Sequence, residues 1–502
     1  MIRKWILLFS VAYLTPGAFA DVESKGTQAI TKTGVEFKLP AISFEVFESN
    51  KINAFIKDAK DRWSGRNISS RDNLLGEDQM SPELKSVRDN IIGAKSADDI
   101  DNIIDKLESD YDSLPLDLRY FAAQFVSLKP FRGIVYRLTT LAKKEKITNS
   151  ALIVAVQSIV ERYTVHFTNA HSSAMLNYII APYTSKKGYV TSQFETASVF
   201  QNYLATEVYP SAAKSLARLQ KLEIGKETVL WDNKVVYGTT SFVDGLNRYK
   251  ILADVDRLAT ISSIHTGLAS LSYACAYNLD GITSLIKDEG LLIGLDGFKL
   301  GKVDGANDFE RVKLLKSDNF SSLFTLRDNG VAWTERALVH LRQGMNYIRI
   351  VWEETKNRPA HEYAMINSSK IIPWESNIEV NLTMAENLLR EKTQIRSAIT
   401  GETIIVDLPS FFTNPPKDLK SLLPTSFDLK NKMIDTKLKS KDTELNKISY
   451  RNYHYGQATD WNLISFKTVF PELKSGKDVK VATRIFSEAW NGNQVTILPF
   501  TN

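Results

Sequence analysis

The feature that most constrains this chain is a three-to-four-residue apolar rhythm that runs with few breaks from about residue 81 to residue 271. Its clearest statement is Ala97 to Glu108, where Ile100, Ile103, Ile104 and Leu107 fall at i, i+3, i+4 and i+7. That spacing puts all four on one face of an α-helix and cannot put them on one face of a strand. Just upstream, SPELKSVRDNII supplies Ser81 as an N-cap and Pro82 at the first helical position, where a missing N–H costs nothing. Further helices are expected over Leu116 to Lys144, Asn149 to Ile180, Gln193 to Leu222 and Ser241 to Leu271. The linkers between them are short and carry Gly, Lys or Thr. One of them holds VLW and KVVYG on either side of Asp232-Asn233, the pattern of a small hairpin. No fixed-period repeat is evident, but helices of this length joined by short turns suit a multi-helix bundle or an irregular α-solenoid.

Two later stretches break the rhythm. Gly290 to Leu314 carries Asp296-Gly297 and Asp304-Gly305, which read as short strands and tight turns. Helix returns at Val331 to Lys356, with Leu338, Leu341, Met345 and Ile348 as its apolar face, and again over Leu382 to Arg396. Beyond TIIVDLPSFFTNPP the pattern is mixed: a strand, a Pro-Pro break, a lysine-rich segment and an aromatic tail. The lysine-rich run Lys430 to Lys447 is interrupted by Asp435, Asp442 and Glu444, as in a solvated helix or linker. The expected fold is therefore mainly α, with a small β insertion and a mixed α/β C-terminal region. Its divisions are a helical domain over 81–289, a strand-and-turn insertion over 290–318, a second helical block over 319–400 and the C-terminal region over 401–502, preceded by an irregular arm over 21–80.

The first 20 residues point outside the cytoplasm. A basic start (Arg3, Lys4), the apolar run WILLFSVAYL and the small-x-small sequence Ala18-Phe19-Ala20 form a secretory signal peptide with cleavage before Asp21. The run is too short to span a bilayer, which takes about 20 apolar residues. No later segment is long and apolar enough to do so, and no integral membrane span is expected after signal removal. Cys275 is the single cysteine of 502 residues, so no intramolecular disulfide can form and stability rests on packing. Without Arg3 and Lys4 the chain carries 61 basic against 58 acidic residues, interspersed rather than blocked. No basic stripe with interleaved aromatics is present, and nucleic acid is excluded as a partner class. The expected location is periplasmic or secreted.

Histidines 166 and 171 are five apart and point about 140° away from each other on a helix. No H-E-x-x-H is present, and Asp304 and Asp308 sit in a loop whose third and twelfth positions are Ala306 and Leu315, against the calcium-loop pattern. No phosphate-cradling glycine loop occurs, and no cofactor is expected. Glycosidases need two facing carboxylates; Glu353-Glu354 beside Trp352 and Asp460 beside Trp461 offer acids, but a helix surface and a turn account for them. Ser211-Ala212-Ala213-Lys214 is an S-x-x-K after Pro210, Ser317-Asp318-Asn319 is an S-D-N, and Lys474-Ser475-Gly476 is close to K-T-G. In this order the three resemble the motifs of the active-site serine penicillin-binding enzymes. The resemblance implies Ser211 as nucleophile, Lys214 or Ser317 as proton relay and Lys474 as the holder of a substrate carboxylate. It is confined to those three short motifs. S-x-x-K recurs at Ser284 to Lys287, and K-T-G itself stands at Lys32 to Gly34, out of order.

One segment has the composition of a contact surface. In RNYHYGQATDW (Arg451 to Trp461), an extended backbone puts Tyr453 and Tyr455 on one face and Asn452 and His454 on the other, and Gly456 allows a turn toward Trp461. Rings with apolar faces and polar tips stack on sugars and grip peptides; the same rings also close a domain core with Leu463, Ile464 and Phe466. The sequence as a whole reads as an exported, non-catalytic helical scaffold or binding protein of the bacterial cell envelope. Its expected partner is an envelope protein or peptidoglycan, with Tyr453, His454, Tyr455 and Trp461 as binding residues. The alternative is a cell-envelope hydrolase or transferase acting on peptidoglycan, through Ser211 or through a carboxylate pair.

Overall fold

The computed structural model describes residues 80–144, 174, 177–182, 192–222, 229–232, 248–285, 308–357, 366, 375–397, 399–429, 433–436, 450–453 and 457–489. Residues 1–79, which take in the expected signal peptide (1–20) and nearly all of the expected arm (21–80), and residues 490–502 lie outside them. The described chain is mainly α, with short antiparallel strand pairs. It divides into two compact units. The first comprises residues 1–276, 329–390 and 495–502; the second comprises 277–328 and 391–494.

The helical unit starts as its sequence directs. Helix α1 (Pro82–Gly93) has Pro82 in its first turn and is capped by Ser81, whose Oγ accepts the Leu84 N–H at 3.1 Å. The same hydroxyl donates to Asp117 Oδ1 at 3.0 Å. Helix α2 (Ala97–Ser109) begins in a capping box between Ser96 and Asp99, which satisfies two otherwise orphaned N–H groups. Of its apolar face, Ile100, Ile104 and Leu107 are buried. The single helix expected over Leu116 to Lys144 is instead two, α3 (Leu116–Phe125) and α4 (Ile134–Lys144). Between them a 3₁₀ segment, Val126–Phe131, contains Pro130, and Gly133 adopts φ +65°. Proline cannot continue the helical ladder, and the left-handed backbone is open mainly to glycine.

Of the segment 149–180, only 174 and 177–180 are described, and they are helical. The next helix starts at Ala197 rather than Gln193, because the Thr196 hydroxyl caps the Val199 N–H at 3.2 Å. It runs as α5 (Ala197–Tyr203), a π-turn (Leu204–Val208) and α6 (Tyr209–Lys221), with Pro210 at the α6 start. The stretch expected as helix from Ser241 also differs. Tyr249–Leu252 is a strand, β2, paired antiparallel with β1 (Val229–Asp232) from Val229↔Leu252 to Asp232↔Tyr249. VLW is thus a strand as expected, but its partner is YKIL and not KVVYG. Helix α7 (Asp254–Ala276) follows, its start fixed by Asp256 Oδ2 accepting the Ala253 N–H at 2.8 Å.

Helix α8 (Asp308–Leu315) belongs to the second unit and replaces the expected turn at the end of the 290–318 insertion; residues 286–307 lie outside the description. Helix α9 (Gly330–Asn357) matches the expectation and packs along α7 in the helical unit. The expected helix over 382–396 is α10 (Glu375–Arg390) followed by strand β3 (Thr393–Arg396). There Ile395 turns inward, and β4 (Thr403–Val406) completes the pair.

The second unit mixes short strands and helices. After α11 (Leu408–Thr413), β5 (Pro424–Asp428) pairs with β8 (Gln457–Trp461), and β6 (Met433–Thr436) with β7 (Tyr450–Tyr453). β6 falls inside the lysine-rich run, which is therefore not one helix: Met433 to Thr436 finds a partner strand. Helices α12 (Leu463–Lys467) and α13 (Asp478–Ala489) follow, and α13 buries Val479, Ala482 and Ile485. Lys420 Nζ donates to the carbonyls of Phe320 (3.1 Å), Ser321 (2.9 Å) and Leu323, holding the turn where Phe324 takes φ 64°. No helix among the described residues is long and apolar enough to cross a membrane.

Candidate functional site

Ser211 and Lys214 stand on α6 in the helical unit, Ser317 and Lys474 in the second unit. Ser211 is 1% exposed, and its Oγ has no hydrogen-bond partner among the described residues. Lys214 is bonded to Glu108, which also takes Arg218 at 2.6 Å. Burial alone would push Glu108 up; the bonds from Arg218 and Lys214 outweigh it and hold the carboxyl below its usual range. Lys214 Nζ thus bonds Glu108, and the Ser211 hydroxyl one turn away takes no bond from it.

Ser317 Oγ donates to the Leu314 carbonyl at 2.8 Å, at the C-terminal end of α8. Lys474 has an exposed side chain. Its backbone N–H and that of Ser475 donate to Asp478 Oδ2 at 3.1 and 2.8 Å, forming the turn into α13. Gly476 presses on the Trp461 carbonyl and the Asp460 carboxylate, where a Cβ has no room. The last motif is therefore brought against the end of the aromatic segment.

In that segment Tyr453 closes β7 opposite Met433, and Trp461 closes β8 opposite Pro424. Trp461 is half-buried, and its N–H bonds to Asp460 Oδ1 at 2.9 Å. His454, Tyr455 and Gly456 lie outside the described residues. Elsewhere, Glu353 pairs with Lys356 at 2.8 Å, and Glu354 is buried on α9.

A polar cluster that no sequence motif marks lies where α6, α7 and α9 meet. Contacts of Ser262 with Gly344 and of His265 with His340 fix α7 and α9 as antiparallel. Along α7, Asp254, Leu258, Ile261, His265, Leu268, Ser272 and Cys275 are all buried and alternate at spacings of four and three. Along α9, Trp333, Ala337, His340, Gly344, Tyr347 and Val351 do likewise. This is the seam of two helices packed over their length. Gly344 sits at this approach, where a Cβ would stand 3.4 Å from both His265 Cβ and the Ser262 carbonyl, at ordinary contact distance.

Midway along the seam, His265 Nδ1 lies 3.0 Å from His340 Nδ1, and His340 Nε2 lies 2.8 Å from the Tyr209 hydroxyl. Tyr347 stacks on His265 with ring centroids 5.7 Å apart, and its hydroxyl accepts from Gln220 Nε2 at 3.0 Å. Tyr209 meets the edge of Trp333 at 5.5 Å, with the Arg336 guanidinium over both rings. Burial drives His265 down to about 3 and His340 well below its usual value, the latter with help from the His265 and Arg336 charges. Burial also pushes the Tyr209 hydroxyl up to about 12. Both imidazoles are neutral at pH 7 and can only exchange protons along the chain of bonds. Among the described residues, no three His, Cys, Asp or Glu side chains are grouped to hold a metal ion. The apolar face read from the sequence (Leu338, Leu341, Met345 and Ile348) does not include His340, and nothing in the spacing pairs it with His265.

Comparison of the chain with protein-family models, with curated proteins and with solved structures finds no match.

Proposed function

We propose that the protein is an exported, non-catalytic helical scaffold or binding protein of the bacterial cell envelope, built as a bundle or irregular α-solenoid. The observation that carries this reading is the state of the S-x-x-K pair: Ser211 is 1% exposed inside the helical unit, and Lys214 is bonded to Glu108. A nucleophile must meet its substrate, and its base must be free to take a proton. Neither condition holds here, and Ser317 and the Lys474 turn have local structural duties of their own. The N-terminal signal pattern supports export.

The contact surface in this proposal is the aromatic segment from Tyr453 through His454 and Tyr455 to Trp461, and peptidoglycan is its ligand. A photo-crosslinking amino acid at position 455 tests it. Exposed to purified peptidoglycan and then digested with muramidase, the protein should carry muropeptide at 455 and none when the crosslinker replaces Lys214. Equal labelling at both positions, or none, would remove the segment as a binding surface.

A further inference from the structure

The two histidines of the α7–α9 seam cannot both be charged in the arrangement the helices impose. In the neutral pair one proton lies between the two Nδ1 atoms, 3.0 Å apart, and a second lies between His340 Nε2 and the Tyr209 oxygen. A neutral imidazole has one donor and one acceptor nitrogen, and an imidazolium has two donors. One added proton makes a cation at a fully buried position: both rings are 0% exposed. A second places N–H against N–H and destroys the bond itself.

The surroundings oppose even the first. Among the described residues, the titratable groups bearing on the pair include Tyr209 from α6 and Arg336 and Tyr347 from α9, with Cys275 of α7 acting on Tyr209. Arg336, a cation, opposes a charge on His340. The nearby carboxylates Glu379 and Glu386 of α10 are bonded to Arg349, more than two turns along α9. Polar residues at seam positions set the register of paired helices, and here that register depends on a bond that acid removes.

From this geometry we infer that His265 and His340 form an acid-released latch, which holds α7 and α9 in register at neutral pH and lets the seam open as pH falls below about 6.5. The sign follows from linkage. A histidine whose folded value lies below its unfolded value contributes stability that is complete above the unfolded value and declines as pH falls beneath it. With an unfolded value of about 6.5, moving from pH 7.5 to 5.5 raises the opening constant about 10-fold per histidine and about 100-fold for the pair.

The test is amide hydrogen exchange on the full chain at pH 7.5 and 5.5, read on peptides covering 258–272 and 337–348 and corrected for intrinsic rates. The wild type should lose about 100-fold in protection, and His265→Gln/His340→Gln at most about 3-fold. The other four histidines are present in both proteins and cancel. Should the double variant fail to fold, His265→Gln and His340→Gln singly should each lose about 10-fold. On the wild type, exchange of the imidazole C2 protons should show no midpoint between pH 5 and 8 for either residue. A wild-type change below 3-fold, or a C2 midpoint near 6.5 at either histidine, would overturn the latch.

Discussion

Ser211 and Ser215 provide a controlled comparison within one helix. They are one turn apart on α6 and each is 1% exposed. They differ in one respect: Ser215 Oγ donates to the Ala123 carbonyl, whereas Ser211 Oγ has no partner among the described residues. Ala123 stands in the last turn of α3, which runs directly into the 3₁₀ segment Val126–Phe131. Replacing Ser211 by Ala deletes a desolvated hydroxyl that costs about 1–3 kcal/mol while unpaired. It also gains about 0.5 kcal/mol of helix propensity. The loss of a few oxygen contacts offsets part of this, and Ser211→Ala is expected to stabilise the helical unit by about 1–2 kcal/mol. Replacing Ser215 by Ala removes this bond, at a net cost of about 1 kcal/mol. The two variants should therefore differ by about 2–3 kcal/mol, a factor of roughly 30 to 150 in opening constant. Amide exchange on the peptide 209–221 reads this unit by itself. If Ser211→Ala lost stability, or if the two variants moved together, the hydroxyl would have a partner and its assignment as inert core would fall.

Three further predictions follow from other contacts. Arg349 bonds Glu386 at both oxygens (3.0 Å each) and Glu379; Arg349→Met should cost the helical unit roughly 2–3 kcal/mol in denaturant unfolding, less than a fully buried pair because Glu379 is 43% exposed. Glu108, held below its usual range by Arg218 and Lys214 against the effect of burial, contributes stability that is present above about pH 4.5 and lost as pH falls through its folded value. Glu108→Gln should flatten that acid limb in a pH series of thermal melts; an unchanged limb would contradict the pairing. Gly476→Ala would drive a Cβ into the Trp461 carbonyl and should destabilise the second unit by at least about 2 kcal/mol, seen as lost amide protection over 457–461.

Local signals in the sequence were readable where the physics is local. The Ser81-Pro82 start, the Ile100, Ile104 and Leu107 face and the span of α9 all follow from caps and periodicity within one turn or two. Strand β2 was not readable, because YKIL looks like the start of the next helix until Val229–Asp232 is set beside it. Ile395 likewise scanned as helical until β4 supplied its partner. At the site level, spacing alone made Ser211 and Lys214 resemble a nucleophile and its base. What decides between chemistry and packing is burial and the reach of Glu108 across 106 residues, which spacing does not encode. The histidine pair joins residues 75 apart. His340 stands off the apolar face read for its helix, and only the register of α7 against α9 brings it to His265.

The reading of this protein as a wall-binding module is tested most directly by sedimentation of the mature chain, residues 21–502, with purified peptidoglycan, with a fluorescent-penicillin lane on the same sample. The account predicts that the protein co-sediments, that Tyr453→Ala/Tyr455→Ala stays in the supernatant, and that neither takes covalent label. Label on the wild type that disappears in Ser211→Ala would contradict it, as would sedimentation that the tyrosine variant leaves unchanged.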